Sequence, residues 1–481
     1  MVERMSTADV AFLHRESRTA PQHVGGLMIF TPPAGGFDYD RLVRLLEERI
    51  PLAPRYRQKV RMVPGNLANP VWVDDPRFDI TYHVRRSALP RPGTDEQLLE
   101  FCSRIQSRLL DRARPLWETY LVEGLAGGRV AVVTKTHEAI VNEDGIDLAQ
   151  VLLDAAPEPR RTVSPVWMPE PEPTAAALVA DALRSVARRP LTARTPLRAA
   201  AGELVGAAGR ATGVVGSALG GFASVPAAML RRPQQSPLHA ELGEQRRLAV
   251  ARTRLADYRT VRGAFGGSVN DVVLAVVAGA LRGWLLARAE PLRPASTVRA
   301  LVPMAGAEGI RPLLVDLPVG EPDAVMRLAQ LRFTMAGHKA AERAVSADRI
   351  AGLSGFAPPT LHALSARAAG GLARRLFHLV VTNVPGPQLP LYAAGARLAE
   401  IFPILPLAPG QAVTIALTSY DGGVFFGVNG DREAMRDVRV FAQSLEESLA
   451  ELVAASGSGA VAVAGPEGGP RPPRRPRKGN R

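Results

Sequence analysis

Two kinds of apolar run alternate along this chain. Short β-branched runs such as Gly26–Phe30 and Arg129–Thr134 read as buried strands, and longer runs with apolar residues three and four apart read as helices. Tyr39–Glu48 is one such helix. Thr94–Leu110 is another, carrying Leu98, Leu99, Cys102, Ile105 and Leu109 at near-helical spacing. Ile146–Asp154 reads as a helix that follows the strand at 129–134. Ala175–Arg189 is amphipathic, with Val179, Leu183 and Val186 on one face, and Pro190 stops it. Further on, strands are expected at 247–251, Thr297–Val302, Leu313–Leu317, Leu379–Asn383, Val413–Ser419 and Val424–Asn429. The last two form a hairpin through Tyr420–Gly423. Helices are expected over Val269–Ala287, with Asn270-Asp271 near its capping position, and over Met435–Ala454.

With 481 residues the chain exceeds one ordinary core, so two domains are expected. They span residues 1–160 and 246–455, separated by a Pro-rich, basic helical crossover at 161–245 and followed by a disordered basic tail at 456–481. The net charge is +13, of which Asp181–Gln235 supplies a surplus of six (eight Arg, two acidic) and Ser456–Arg481 a surplus of five. The remaining body is close to neutral, which argues against a folded nucleic-acid-binding face. Two readings of the basic segments stand: peripheral contact with an anionic membrane or lipid-droplet surface, or solubilising appendages without a partner. The uncharged stretch Ala211–Leu230 is long enough to span a bilayer, but four Gly, three hydroxyl residues and Pro226 favour a crossover packed on the protein. The N-terminus lacks the apolar core of a secretory signal, and a cytoplasmic location follows as the expectation. A single cysteine, Cys102, excludes a disulfide framework and a multi-cysteine metal site. The eight histidines are scattered, so no metal site is expected.

The candidate chemistry lies at Lys135-Thr136-His137-Glu138-Ala139-Ile140-Val141-Asn142-Glu143-Asp144-Gly145, on the turn between the strand at 129–134 and the following helix. A polar cluster on such a turn is held rigidly and stays accessible. Successive strand residues face opposite sides, so His137 and Glu138 share a pocket only where the strand has ended.

This segment resembles the His-His-x-x-x-Asp-Gly motif of the bacterial wax ester synthase/diacylglycerol acyltransferase (WS/DGAT) family. Ungapped, His137 and Glu138 stand for the two histidines and Asn142-Glu143 for the Asp-Gly; a two-residue insertion places Asp144-Gly145 there instead. Either way the second histidine is missing. Four other segments carry the resemblance in the family's order: Ser6–Leu13 with His23-Val24-Gly25-Gly26, Arg114-Pro115-Leu116-Trp117-Glu118, Gly267–Ala275 with its Asn270-Asp271, and Val380–Pro387 followed by Leu391-Tyr392. The loop after Pro303-Met304 is shorter than the family's usual one.

The resemblance implies an α/β fold of two chloramphenicol-acetyltransferase-like domains with an interdomain tunnel. It implies an O-acyltransferase that uses acyl-CoA as substrate and no cofactor, with diacylglycerol or a long-chain fatty alcohol as acceptor. The family's second histidine deprotonates the acceptor hydroxyl. His137 and Glu138 are therefore the catalytic candidates, Asn142, Asp144 and Gly145 structural support, and Asn270 and Asp271 the site lining. A glutamate is a weaker base than histidine by about two pKa units unless burial raises its pKa. The alternative is a degenerate homologue that binds acyl-CoA or lipid without efficient turnover.

Overall fold

The computed structural model describes residues 3–144, 147–158, 167–187, 236–306, 309–343 and 376–459. Its first half runs β1 (Glu3–Arg4), α1 (Thr7–Arg15), β2 (His23–Thr31), α2 (Tyr39–Arg49), β3 (Gln58–Arg61), β4 (Val71–Asp74), α3 (Ile80–His83) and β5 (Val84–Ala88). There follow α4 (Asp95–Gln106), β6 (Trp117–Glu123), β7 (Val130–His137), α5 (Glu138–Asp144), α6 (Leu148–Leu152) and α7 (Ala175–Ala187). The second half holds β8 (Arg246–Arg254), α8 (Leu255–Phe265), α9 (Val269–Ala287), β9 (Val298–Gly306), β10 (Gly309–Leu317) and α10 (Ala324–Arg343). It closes with β11 (Leu379–Pro385), β12 (Tyr392–Ala393), β13 (Ala396–Ile404), β14 (Val413–Tyr420), β15 (Gly423–Asp431) and α11 (Val438–Gly459).

Local chemistry sets the helix ends. The hydroxyls of Ser6, Thr94 and Ser268 each accept a backbone N–H from the third residue on. Thr94 with Gln97, and Ser268 with Asp271, complete reciprocal capping boxes. α4 stops at Gln106, short of the expected Leu110, and its last carbonyls, of Ile105 and Gln106, accept from Lys135 and His23 on neighbouring strands. The hairpin between β14 and β15 turns through Asp421 (φ 43°) and Gly422 (φ 82°), two left-handed residues whose twist suits a two-residue loop. α11 continues through Ser456 to Gly459, four positions assigned above to the tail.

Two six-stranded mixed sheets dominate, in the orders β12-β13-β2-β7-β6-β5 and β10-β9-β11-β14-β15-β8, beside a small sheet β1-β4-β3. Each large sheet carries its own apolar core. The architecture is the expected α/β pair of sheet-and-helix halves. β12 and β13 come from the second half of the chain yet complete the first sheet, with Arg397 paired to Thr31 and Ile404 to Gly25. The pattern reading above misses β13. Its alternation is interrupted by a bulge between Leu398 and Glu400 and by Pro403, which leaves no clean period of two. The stretch 211–230 and the chain after 459 lie outside the described residues. Among the described residues one helix, α9, is long and apolar enough to cross a membrane, and most of it is buried in the second core.

The halves meet along α4, β8, β13, β14 and β15. The Ser103 hydroxyl accepts the Leu248 amide at 3.0 Å and the Ser107 hydroxyl accepts the Arg246 amide at 2.9 Å. Arg252 on β8 binds both oxygens of Glu400 at 2.8 Å and Asp95 at 2.7 Å. β13 and β15 approach so closely that a Cβ on Gly427 would lie 1.9 Å from the Pro403 carbonyl oxygen. Gly427→Ala must therefore push the sheets apart and should cost about 3 kcal/mol, seen as a drop of several degrees in the thermal midpoint.

Candidate active site

β7 lies between β2 and β6, and all eight of its residues are buried. Its alternation puts Lys135 and His137 on one face and Thr136 on the other. Lys135 is fully buried; its ammonium donates to the carbonyls of Ile105, at 3.0 Å, near the end of α4 and of Arg108 just beyond it. Burial lowers its pKa to about 8, with Glu118 and Glu16 opposing. His23 on β2 donates from Nε2 to the Gln106 carbonyl at 2.8 Å, and burial holds its pKa well below the usual imidazole range.

His137 ends the strand. Its Nδ1 accepts the Ala139 amide at 3.1 Å, so the ring caps the first turn of α5. The proton is thereby on Nε2, which faces Glu16 Oε1 at 3.5 Å. Glu16 is held by Arg112 at 2.8 Å. Burial lowers the His137 pKa to about 4, against the pull of Glu16, so the ring is neutral at pH 7 with both nitrogens turned to protein. Glu138 opens α5, is fully buried, and donates its amide to the Gln22 carbonyl at 3.0 Å. Its carboxylate acts on the Arg15 guanidinium of α1, opposing the burial that lowers the Arg15 pKa. Asn142 and Asp144 lie on α5, while Gly145 is outside the described residues.

Between the two large sheets lies a largely apolar cavity with about 1330 Å³ of empty space including its mouth. β2 contributes Gly25 and Gly26 to it, α5 contributes Val141, and β11 contributes Thr382 and Val384. Gly25 must be glycine: a Cβ there would lie 2.2 Å from the Gln106 side-chain nitrogen and 2.7 Å from the Thr134 carbonyl oxygen. Neither His137 nor Glu138 lines the cavity; Asp147, at the N-terminal end of α6, does. Burial raises the Asp147 pKa, against the nearby Leu148 and Ala149 amides. Burial pushes the phenol of fully buried Tyr56 well above its ordinary pKa, and Asp147 adds to that rise.

Asn270 and Asp271 do different jobs. Asp271 Oδ2 accepts the Ser268 amide at 2.7 Å in the capping box of α9. Asn270 Oδ1 accepts a hydrogen bond from Asn383 Nδ2 at 3.3 Å, which ties two of the quoted motifs together. Thr382 and Val384 line the cavity, so by alternation Asn383 and Asn270 sit on the helix-covered face of that sheet. Trp117 is a core residue, donating from Nε1 to the Tyr56 carbonyl at 2.8 Å and stacking on His83. The sequence reading has Asp147 only as part of the helix expected over 146–154, and nothing in the sequence marks it as a cavity residue. Among the described residues no group of His, Cys, Asp and Glu could hold a metal ion. Cys102 is buried, its thiol pushed up to about 12.

An unfolded His137 titrates near 6.5 and the folded one near 4. Between these values the unfolded chain binds a proton that the folded chain refuses, so stability is lost as pH falls. From pH 7 to pH 5 this one group should cost about 2 kcal/mol, and His137→Gln, which keeps an acceptor for Ala139, should flatten the thermal midpoint over that range.

The comparisons with known proteins agree along the whole chain. A model of the wax ester synthase/diacylglycerol acyltransferase catalytic domain matches residues 5–273, and one of the WS/DGAT C-terminal domain matches 309–453. The Mycobacterium tuberculosis H37Rv protein named "Probable diacyglycerol O-acyltransferase tgs2" is 35% identical over 485 residues, covering 95% of this chain and 100% of that protein. Its relative tgs1, from the same strain and similarly named, is 31% identical over 468 residues, covering 95% and 96%. The solved wax ester synthase/diacylglycerol acyltransferase from Marinobacter aquaeolei VT8 superposes with a TM-score of 0.68 at 28% identity, over 94% of this chain and 100% of that one. The first condensation domain of the calcium-dependent antibiotic synthetase shares the fold, with a TM-score of 0.50 at 16% identity over 94% and 97%. The chain belongs to the wax ester synthase/diacylglycerol acyltransferase family.

Proposed function

We propose that this chain is an acyl-CoA-dependent O-acyltransferase that moves a long-chain acyl group to the hydroxyl of diacylglycerol or of a long-chain alcohol. The products are triacylglycerol or wax ester. The observation that carries this reading is the family match across both domains, with an apolar cavity where the two sheets face each other. An apolar cavity suits acyl chains, and exclusion of water protects the thioester from hydrolysis. The reaction needs no cofactor: the acceptor oxygen attacks the thioester carbonyl and CoA leaves as the thiolate.

One observation favours a second reading, in which the chain binds acyl-CoA or lipid without efficient turnover. The family's base position holds Glu138, which is engaged with Arg15, and the His137 nitrogens both face protein groups. Loss of a general base costs roughly 10²–10⁴-fold in rate.

The basic segments 181–235 and 456–481 bring the chain to anionic lipid from the cytoplasmic side, where its substrates reside. Binding to vesicles containing anionic lipid should exceed binding to neutral vesicles and fall as salt rises; equal binding to both would remove this role.

Purified protein given a long-chain acyl-CoA with diacylglycerol, and separately with hexadecanol, should release CoA and form the matching lipid. His137→Ala, Glu138→Ala and Glu138→His run beside it. No product from the wild type, with product gained in Glu138→His, establishes the binding reading instead.

A further inference from the structure

If the chain turns over, a proton acceptor must replace the family's missing histidine. We infer that Asp147 is that group: the general base that takes the proton of the acceptor hydroxyl. The inference rests on the acyltransferase reading above.

Three observations carry it. First, Asp147 is the one carboxylate or cationic side chain among the described residues that line the interdomain cavity. Its ionisable companion there, Tyr420, is already committed, donating to the Leu398 carbonyl at 3.0 Å and accepting the Leu391 amide at 2.8 Å. Second, the alternatives lie elsewhere: His137 caps α5, and neither it nor Glu138 lines the cavity. Third, Asp147 has no cationic partner among the described residues, although a buried carboxylate is costly without one. It is half-buried by area yet lies deep enough for burial to raise its pKa, and both hold when its exposed surface faces the cavity. A carboxylate in that setting is a stronger base than a solvated one. Tyr56 is the titratable side chain that interacts with it.

The step balances without a co-reactant. The acceptor O–H gives its proton to the Asp147 carboxylate as its oxygen bonds to the thioester carbonyl carbon. The tetrahedral intermediate expels sulfur, the C–S bond breaks, and the protonated Asp147 returns its proton to the departing thiolate.

The test compares wild type with Asp147→Asn and Asp147→Glu, using palmitoyl-CoA with diacylglycerol and with hexadecanol. CoA release is followed across pH, with palmitoyl-CoA binding and thermal midpoint measured on each variant. Asp147→Asn should lower kcat about a hundredfold or more, keep palmitoyl-CoA binding, and leave the midpoint unchanged or higher, because a buried charge is gone. Wild-type kcat/KM should fall on an acid limb set by Asp147, a limb that Asp147→Asn lacks and Asp147→Glu shifts. Wild-type turnover with Asp147→Asn within threefold of it overturns the inference and leaves the acyltransferase reading standing. So does loss of activity joined to lost palmitoyl-CoA binding and a lowered midpoint, which marks a structural residue. A wild type inactive with both acceptors at every pH overturns both.

Discussion

The end of α4 is the joint on which both halves hang. Its last carbonyls would be orphaned inside the protein, and burying them unpaired would cost about 1–3 kcal/mol each. Lys135 and His23 supply the donors, from the two central strands of the first sheet. On either side of that terminus, the hydroxyls of Ser103 and Ser107 accept the Leu248 and Arg246 amides of β8, the edge of the second sheet. A single helix terminus thus sets the register of β7 and β2 and docks the other domain. A slip of one residue in β7 would turn Lys135 away from the carbonyls and His137 away from Glu16 together. Site and interface are therefore positioned by the same hydrogen bonds.

This arrangement explains why His137 stays while its neighbour has changed. His137 is part of the framework: its ring closes the first turn of α5 and fills the space beside Glu16. At the next position the Glu138 carboxylate acts electrostatically on Arg15 of α1. The exchange is electrostatic, a buried carboxylate with a guanidinium of α1 in place of a neutral ring.

Much of the fold was legible because it rests on local rules. The apolar, β-branched run of β7, the capping residues of α9 and the turn at Asp421-Gly422 are properties of a few consecutive residues. β13 was not legible, since its bulge and Pro403 erase the alternation and its partner is far away in sequence. The candidate site was legible in part. The motif placed His137 and Glu138 on a strand-to-helix turn, and there they are. Their partners Ala139, Glu16 and Arg15 depend on tertiary packing, which no spacing reveals. The Asn270–Asn383 contact joins residues more than a hundred positions apart, |i−j| being 113. Asp147 was hidden because its place on the cavity wall depends on tertiary packing, which spacing does not reveal.

The first sheet is completed by a strand that the ribosome delivers late. Thr31 pairs with Arg397, and 397 − 31 gives 366 positions between them. Until β13 arrives, β2 is an open edge with a row of unpaired amides and carbonyls beside apolar side chains, a template for pairing between chains. The N-terminal half is thus not a self-sufficient folding unit, despite having its own core. Its maturation waits on nearly the whole of synthesis, and a chaperone or intramolecular cover is the natural guard for β2 in that interval. The same swap ties the fates of the domains afterwards, because opening the second half strips a strand from the first.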